Sequence, residues 1–513
     1  MENDTGKGKI YLVGAGPGRA ELVTVRGAEL LQAADCIICD KLATGVLKRF
    51  GNRKAEIIHV PKRVGAGSVT QQQVNEILLK KACEYKTVVR LKGGDPCIFS
   101  RAAEELEFLA EAGIEFEIVP AVTAATAAGA GAGIILTGRD FGSQLLFVTG
   151  READGKQKSS IDWYWISQFG GTIVFYMAMG SLDFVTNELL QNGMQEDTPA
   201  AVVCNAAMSN QKVLKSSLGC LADECRQQNL RPPGVVIVGP AAGADDRFEW
   251  LGRKALAGCN IAVTRTVEGN RQFADKIGEQ GGAAVEFATI RLEPLTQGNK
   301  FLQALAGFSE FDWIVFTSAS GVNFFFEAIG ELGKDSRVFA SAKIAVIGPR
   351  TTEELEKYGL RPDFVPTVFT SRQLAEELLC KCNMHGKKVL MLRSESASDE
   401  AAEILRQGSS EVECTALYKV VSEKTDAEEF VQKIKESGID WLTFCCPSSA
   451  RVMAEEKKVT AEVIHAGGVK IASIGPVTSR ELKKLGFSVD VEAKIHTIDG
   501  LLQAIIECQE NQS

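Results

Sequence analysis

The chain has 513 residues, 45% of them apolar and 24% charged, with a formal net charge of -9 and a pI near 5.4. That length exceeds one ordinary domain, and the balance is that of globular rather than disordered protein. The acidic charge argues against broad nucleic-acid or anionic-membrane binding, which needs clustered Lys and Arg, so an anionic substrate requires a local basic pocket.

The opening Met1-Glu-Asn-Asp-Thr-Gly-Lys7 lacks the apolar core of a signal peptide, and no later run is long enough to span a bilayer, which predicts a cytoplasmic protein. From residue 10 to about 120, short apolar runs alternate with helical stretches: Ile10 to Val13, Gly27 to Ala33, Cys36 to Cys39, Gln72 to Cys83 and Thr87 to Leu91. This is α/β sequence with ligand loops at strand ends. Four such loops stand out: Val13-Gly-Ala-Gly-Pro-Gly18, Arg90-Leu-Lys-Gly-Gly-Asp-Pro96, Pro120-Ala-Val-Thr-Ala-Ala125 and Arg231-Pro-Pro-Gly-Val235. Gly93 and Gly94 permit close approach of a ligand to backbone, and Asp95 offers an acceptor for a hydroxyl or amine. Taken alone, Gly14-x-Gly16-x-Gly18 is a weak signal. A dinucleotide fingerprint wants Gly or Ala where Arg19 stands, and Pro17 removes an amide that a pyrophosphate would use.

The Ala/Gly/Thr-rich stretch Thr123 to Gly133 reads as a tightly packed helix. Further strands are expected at Leu145 to Val148, Gly171 to Tyr176, Ala200 to Cys204 and Val235 to Val238, giving the first half two α/β lobes. Cys36 and Cys39 read as small hydrophobes of a buried strand, and the four histidines form no cluster, so no metal is expected.

The charged run at 244–250 marks a boundary, dividing the chain into 1–250 and 251–513. Beyond it the sequence repeats at about 128 positions. Asp312-Trp-Ile-Val-Phe-Thr-Ser318 parallels Asp440-Trp-Leu-Thr-Phe-Cys-Cys446, and Ile344-Ala-Val-Ile-Gly-Pro349 parallels Ile471-Ala-Ser-Ile-Gly-Pro476. Gly258-Cys-Asn-Ile-Ala-Val-Thr-Arg265 echoes Gly386-Lys-Lys-Val-Leu-Met-Leu-Arg393. Two similar α/β units with a cleft between them follow.

The glycine loops, with Phe99-Ser-Arg101, Glu104-Glu105, Leu136-Thr-Gly-Arg139 and Phe175-Tyr-Met177, resemble uroporphyrinogen-III C-methyltransferase over residues 8 to 250. The resemblance implies a tetrapyrrole methylase fold of two α/β lobes, a homodimer, and S-adenosylmethionine (SAM) in the cleft, released as S-adenosylhomocysteine (SAH). It implies SAM contacts at Pro17, Gly93, Gly94, Asp95, Ile98, Thr123, Ala124, Met177 and Ala206. Arg101 and Arg139, with Lys62 and Arg63, become candidates for gripping substrate carboxylates, and Glu104 for the base that removes a bridging-carbon proton. Glu104 also reads as a solvated residue at a helix start. The family usually has Arg, His, His and His where Lys41, Gly67, Gly138 and Arg151 stand, and Gly where Ala121 stands, which bears on substrate contacts more than on the SAM loops.

In the second half, Phe316-Thr-Ser-Ala-Ser-Gly-Val322, Phe369-Thr-Ser371, Leu417-Tyr418 and Ile474-Gly-Pro-Val-Thr-Ser479 resemble uroporphyrinogen-III synthase. That implies two α/β lobes joined by a two-strand connector, the chain entering one lobe, completing the other and returning. The implied reaction closes hydroxymethylbilane with inversion of the last ring and loss of water. Tyr418 is the candidate for assisting hydroxyl departure, and Thr317, Ser318, Ser320, Thr478 and Ser479 for receiving carboxylates, though each Ser or Thr also suits an ordinary helix cap. Together the halves imply synthesis of uroporphyrinogen III and its double methylation to precorrin-2, on the way to siroheme or cobalamin. The rivals are a methylase of ribosomal RNA or a protein side chain, and a silent tetrapyrrole receptor.

Overall fold

The computed structural model describes residues 7–40, 43–52, 54–60, 69–139, 142–151, 160–243, 246–339, 342–424, 427–435 and 438–511. They fall into two compact units, one of Met1–Ile261 with Phe273–Val285, the other of Ala262–Gln272 with Glu286–Ser513.

The first unit opens with β1 (Lys9–Gly14), β2 (Cys36–Asp40), β3 (Glu56–Val60), β4 (Thr87–Lys92) and β5 (Phe116–Val119). They form a parallel sheet in the order β3-β2-β4-β1-β5. Alternation divides its core. Val13, Ile37, Cys39, Val89 and Leu91 pack on one face, and Ile10, Leu12, Cys36, Ile38 and Val88 on the other. Cys36 and Cys39 are therefore core residues, and burial pushes their thiols up to about 11 and about 12. β1 and β4 are neighbours whose onward connections run in opposite directions, from β1 toward β2 and from β4 toward β5. That is the arrangement that opens a crevice at the carboxyl ends of parallel strands.

β6 (Leu145–Thr149), β7 (Thr172–Tyr176), β8 (Pro199–Cys204), β9 (Lys212–Ser217) and β10 (Gly234–Val238) form a second sheet, β6-β7-β10-β8-β9. Only β6 and β7 run parallel; β10 pairs antiparallel with β7 and β8, and β8 with β9. Both lobes expected from the sequence are present.

Ten strands follow: β11 (Asn260–Val263), β12 (Ala283–Glu286), β13 (Ile290–Pro294), β14 (Trp313–Phe316), β15 (Lys343–Val346), β16 (Lys388–Ser394), β17 (Glu411–Ser422), β18 (Trp441–Phe444), β19 (Lys470–Ser473) and β20 (Val491–Glu492). Their orders are β12-β11-β18-β19-β20 and β13-β17-β16-β14-β15. Each sheet thus mixes the two sequence copies, the equivalent strands β11 and β16 each lying in a sheet with the later strands of the other copy, β18 and β19 or β14 and β15. The long β17 pairs antiparallel with β13, Ile290 opposite Ser422 through Pro294 opposite Tyr418, and carries the chain between lobes. Repeat and lobe therefore do not coincide, in keeping with the sequence expectation of a chain that enters one lobe, completes the other and returns.

Candidate active sites

The glycine loops after β1 and β4 are bonded to each other. Gly16 and Gly94 form an antiparallel bridge, the Gly94 amide donating to the Gly16 carbonyl at 2.8 Å and the Gly16 amide to the Gly94 carbonyl at 3.2 Å. Both have positive φ, 72° and 69°, which glycine adopts without steric cost. Gly14 is required for a different reason: a Cβ there would stand 2.5 Å from the Ala121 Cβ and 2.7 Å from the Gly94 carbonyl oxygen. Asp95 is buried, and its two carboxylate oxygens accept the amides of Cys97 at 2.7 Å and Ala121 at 2.8 Å. The carboxylate suggested by sequence as a ligand acceptor thus ties the loop after β4 to the loop after β5.

The opposite wall comes from the second sheet. The Tyr176 hydroxyl lies 2.7 Å from the Thr123 hydroxyl and accepts the Ala125 amide at 3.2 Å. Thr123 precedes the helix Ala124–Ala132 yet does not cap it with its side chain, because its hydroxyl is spent on Tyr176. Phe99 leans on the Tyr176 ring with centroids 5.1 Å apart. Ile98, Ala124 and Ala206 pack half-buried against the same core as Tyr176. Gly18 abuts this side too, since a Cβ on it would meet the Met208 sulfur at 3.1 Å. Pro17 and Gly93 are half-buried, and Met177 is exposed.

Phe99, Arg101, Met177, Asn205 and Ala207 all have positive φ, between 47° and 62°. Non-glycine residues in this region are strained by roughly 1–3 kcal/mol each, and such strain gathers at functional sites. Sequence reading missed it, since only glycine advertises this geometry. Tyr176 lies within the motif Phe175-Tyr-Met177, but nothing in the sequence assigns it a role.

Arg101 and Glu104 form a two-point ion pair at the start of the helix Ala102–Glu111, and both are exposed enough to meet a ligand. This pair holds the arginine pKa above its usual value. Arg139 is exposed on a turn closed by reciprocal Gly138 and Gly142 amide bonds, and no contact among the described residues joins it to Arg101 or Glu104. Lys62 and Arg63, like Lys41 and Gly67, lie outside the described residues.

Behind this surface runs a buried network absent from the sequence reading. Glu105 is fully buried and pairs with Lys92 at 2.7 Å and Arg90 at 3.3 Å, while Arg90 also reaches Asp40 at 2.7 Å. Arg90 and Lys92 share the face of β4 that carries Val88, under the Ala102–Glu111 helix. Their charges are compensated by partners on β2 and that helix, which offsets part of the desolvation cost of burying them.

In the second unit, the Ser318 hydroxyl accepts the Gly321 amide at 3.0 Å, capping the helix Ala319–Glu331, and lies 3.0 Å from the Tyr418 hydroxyl. Tyr418 is buried on β17, with its ring stacked on Phe324 at 5.4 Å. Burial pushes its pKa up, the Ser318 bond opposing, so the phenol keeps its proton at neutral pH. Thr317 bonds the Leu392 carbonyl through both its amide and its hydroxyl, and Ser320 is half-buried in the first helical turn.

Thr478 and Ser479, the other candidates for receiving carboxylates, are only 3% and 4% exposed. Helical phase is the reason. Gly475-Pro476 starts the helix Pro476–Lys484 at the end of β19, which turns Val477 outward and the next two residues inward.

Residues 9–222 match the model of the tetrapyrrole (corrin/porphyrin) methylases, and residues 271–503 that of uroporphyrinogen-III synthase HemD. The two matches thus define a tandem protein of the tetrapyrrole class. The porphyrin biosynthesis protein HemD of Ruminiclostridium josui is 35% identical over 501 residues, covering 98% of this chain and 98% of that protein. The chain belongs to that family. Its first half is also 39% identical to uroporphyrinogen-III C-methyltransferase of Methanocaldococcus jannaschii, over 47% of this chain and 98% of that one. It is 40% identical to the S-adenosyl-L-methionine-dependent uroporphyrinogen III methyltransferase of Methanosarcina barkeri, over 47% and 94%.

Proposed function

We propose that the chain cyclises hydroxymethylbilane to uroporphyrinogen III and then methylates that product twice with SAM to give precorrin-2. Methyl transfer is assigned to residues 1–250, acting as a homodimer, and ring closure to residues 251–513. The observation that carries the first assignment is the bonded pair Gly16 and Gly94 at the ends of β1 and β4. A ligand there meets main chain with no side chain in the way, which suits a bulky cationic nucleoside better than a pyrophosphate, since Pro17 lacks an amide.

SAM would be held by Pro17, Gly93, Gly94, Ile98, Thr123, Ala124, Met177 and Ala206, and it supplies a methyl group already activated by sulfonium charge. Asp95 and Tyr176 then act by bracing the walls, so that rate comes from alignment in a dry crevice. Arg101 offers a substrate carboxylate the same two-point grip it gives Glu104. A carboxylate that takes Arg101 releases Glu104, leaving a base beside the substrate to accept the ring proton lost after methylation. Arg139, with Lys62 and Arg63, is assigned to further carboxylates.

For ring closure, the protonated Tyr418 phenol donates a hydrogen bond to the departing hydroxyl, and Ser318 fixes its direction. Thr317 and Ser320 contribute the polar rim of that strand end. The test is one assay on the purified full chain with hydroxymethylbilane, run with and without labelled SAM. The type III isomer should form without SAM, and two labels should be incorporated with it. Type I isomer alone would remove the cyclase assignment, and unlabelled type III product the methylase assignment.

A further inference from the structure

Arg265 and Arg393 occupy equivalent places in the two sequence copies, yet they are treated differently. Arg393 is neutralised within its own copy, donating to the Asp399 carboxylate at 2.5 Å and the Ser398 carbonyl at 2.9 Å. In the first copy the positions of Ser398 and Asp399 are held by Asn270 and Arg271. No carboxylate among the described residues pairs with Arg265, and its buried Nη1 has no hydrogen-bond partner. Asn270 is 1% exposed; its side-chain oxygen accepts the Arg265 amide at 2.7 Å, but its Nδ2 is also without a partner.

A second guanidinium comes from the other lobe. Arg350, in the first turn of the helix Pro349–Glu356, donates to the Gln272 side-chain oxygen at 2.7 Å. Gln272 belongs to the helix Val267–Glu279, over whose first turn Arg265 folds: a Cβ on Gly269 would stand 3.2 Å from the Arg265 guanidinium carbon. Burial and then repulsion from Arg265 lower the Arg350 pKa, with Glu353 and Glu354 opposing; Glu354 is itself engaged by Lys357 at 2.9 Å. Burial pushes the Cys445 thiol up to about 12, and both arginines oppose that rise. Two cations near one another, with the buried Arg265 Nη1 and Asn270 Nδ2 both unmet, make a site that an anion would complete.

We infer that Arg265 and Arg350, with the side-chain amide of Asn270, form a carboxylate subsite that holds one acidic side arm of the linear tetrapyrrole. The inference rests on the cyclisation reading above and adds a positioning element to it. Held at that arm, the substrate presents its hydroxyl-bearing end to the Tyr418 phenol in one fold of the chain, and the two lobes are drawn together by a ligand that bridges them.

The test is steady-state cyclisation of hydroxymethylbilane by the full chain carrying Arg350→Gln, Arg350→Lys or Arg265→Gln. Each Gln variant should raise KM about tenfold or more while kcat stays within about threefold, the loss expected for one charge-assisted contact made equally in ground and transition states. Arg350→Lys should recover part of the KM, since the charge is kept and the fork is lost. Unchanged KM in both Gln variants of a cyclising protein would remove the subsite alone, as would a fall in kcat with KM held. A wild-type chain that left hydroxymethylbilane uncyclised would take the cyclisation reading and the subsite together.

Discussion

Arg101 holds Glu104 by two parallel bonds, Nε to Oε1 at 2.7 Å and Nη2 to Oε2 at 2.6 Å, so the proposed carboxylate clamp and the proposed base begin as partners. Arg101→Ala should abolish methylation of uroporphyrinogen III while SAH still binds, because its side chain bonds Glu104 and not the glycine loops. Methylation kinetics and SAH calorimetry on the same protein check this. Unchanged kinetics would take Arg101 out of the site.

Gly14→Ala places a methyl group against the Ala121 Cβ, the Gly94 carbonyl and the Pro96 ring, all within 2.8 Å of its ideal position. The loops after β1 and β4 must part, at a cost of about 1–3 kcal/mol. SAH affinity should fall by roughly tenfold or more, since 1.4 kcal/mol is a factor of ten, and ring closure should be unaffected. Wild-type affinity would mean that the bridged loops do not shape the site.

Much of this architecture was legible in the sequence, and its gaps have physical causes. Short apolar runs located β1, β2, β4, β6, β7, β8 and β10, and Gly or Pro marked a boundary of several of them, as at Gly14, Gly93, Gly171 and Gly239. The repeat of Asp312 to Ser318 by Asp440 to Cys446 announced the doubled second half. Arg90 and Lys92 were not recognised as buried, since charge within a strand reads as exposure unless Asp40 and Glu105 are known to face it. The inward turn of Thr478 and Ser479 depended on where one helix begins. The strain at Met177 and Ala207 leaves no trace in residue type at all.

Tyr418→Phe deletes the phenol and its 3.0 Å bond to Ser318 but keeps the ring stacked on Phe324. The kcat for ring closure should drop about a hundredfold, within the range of a lost proton-donating group, with KM held. Thermal melting should shift little, as one such bond contributes about 1 kcal/mol. A wild-type kcat would show the hydroxyl to be dispensable.

Glu377 gives a pH signature of the second unit. The Lys381 ammonium, then the hydroxyl and amide of Thr367, lower its pKa from 4.5 to about 2. Between those values the unfolded chain takes up a proton that the folded chain refuses, so this contribution is present above 4.5 and is lost as pH falls toward 2. Glu377→Gln should therefore lower the melting temperature of that unit at pH 7 and converge on wild type as the buffer is acidified. A difference independent of pH would place the effect in packing and not in charge.

The central claim, a nucleoside cradle built on Gly16 and Gly94, is tested most directly by calorimetric titration of SAH into the full chain. Saturable heat at one site per chain, weakened by Gly14→Ala and retained by Arg101→Ala, is the predicted result. No heat from the wild-type protein at any SAH concentration would contradict it.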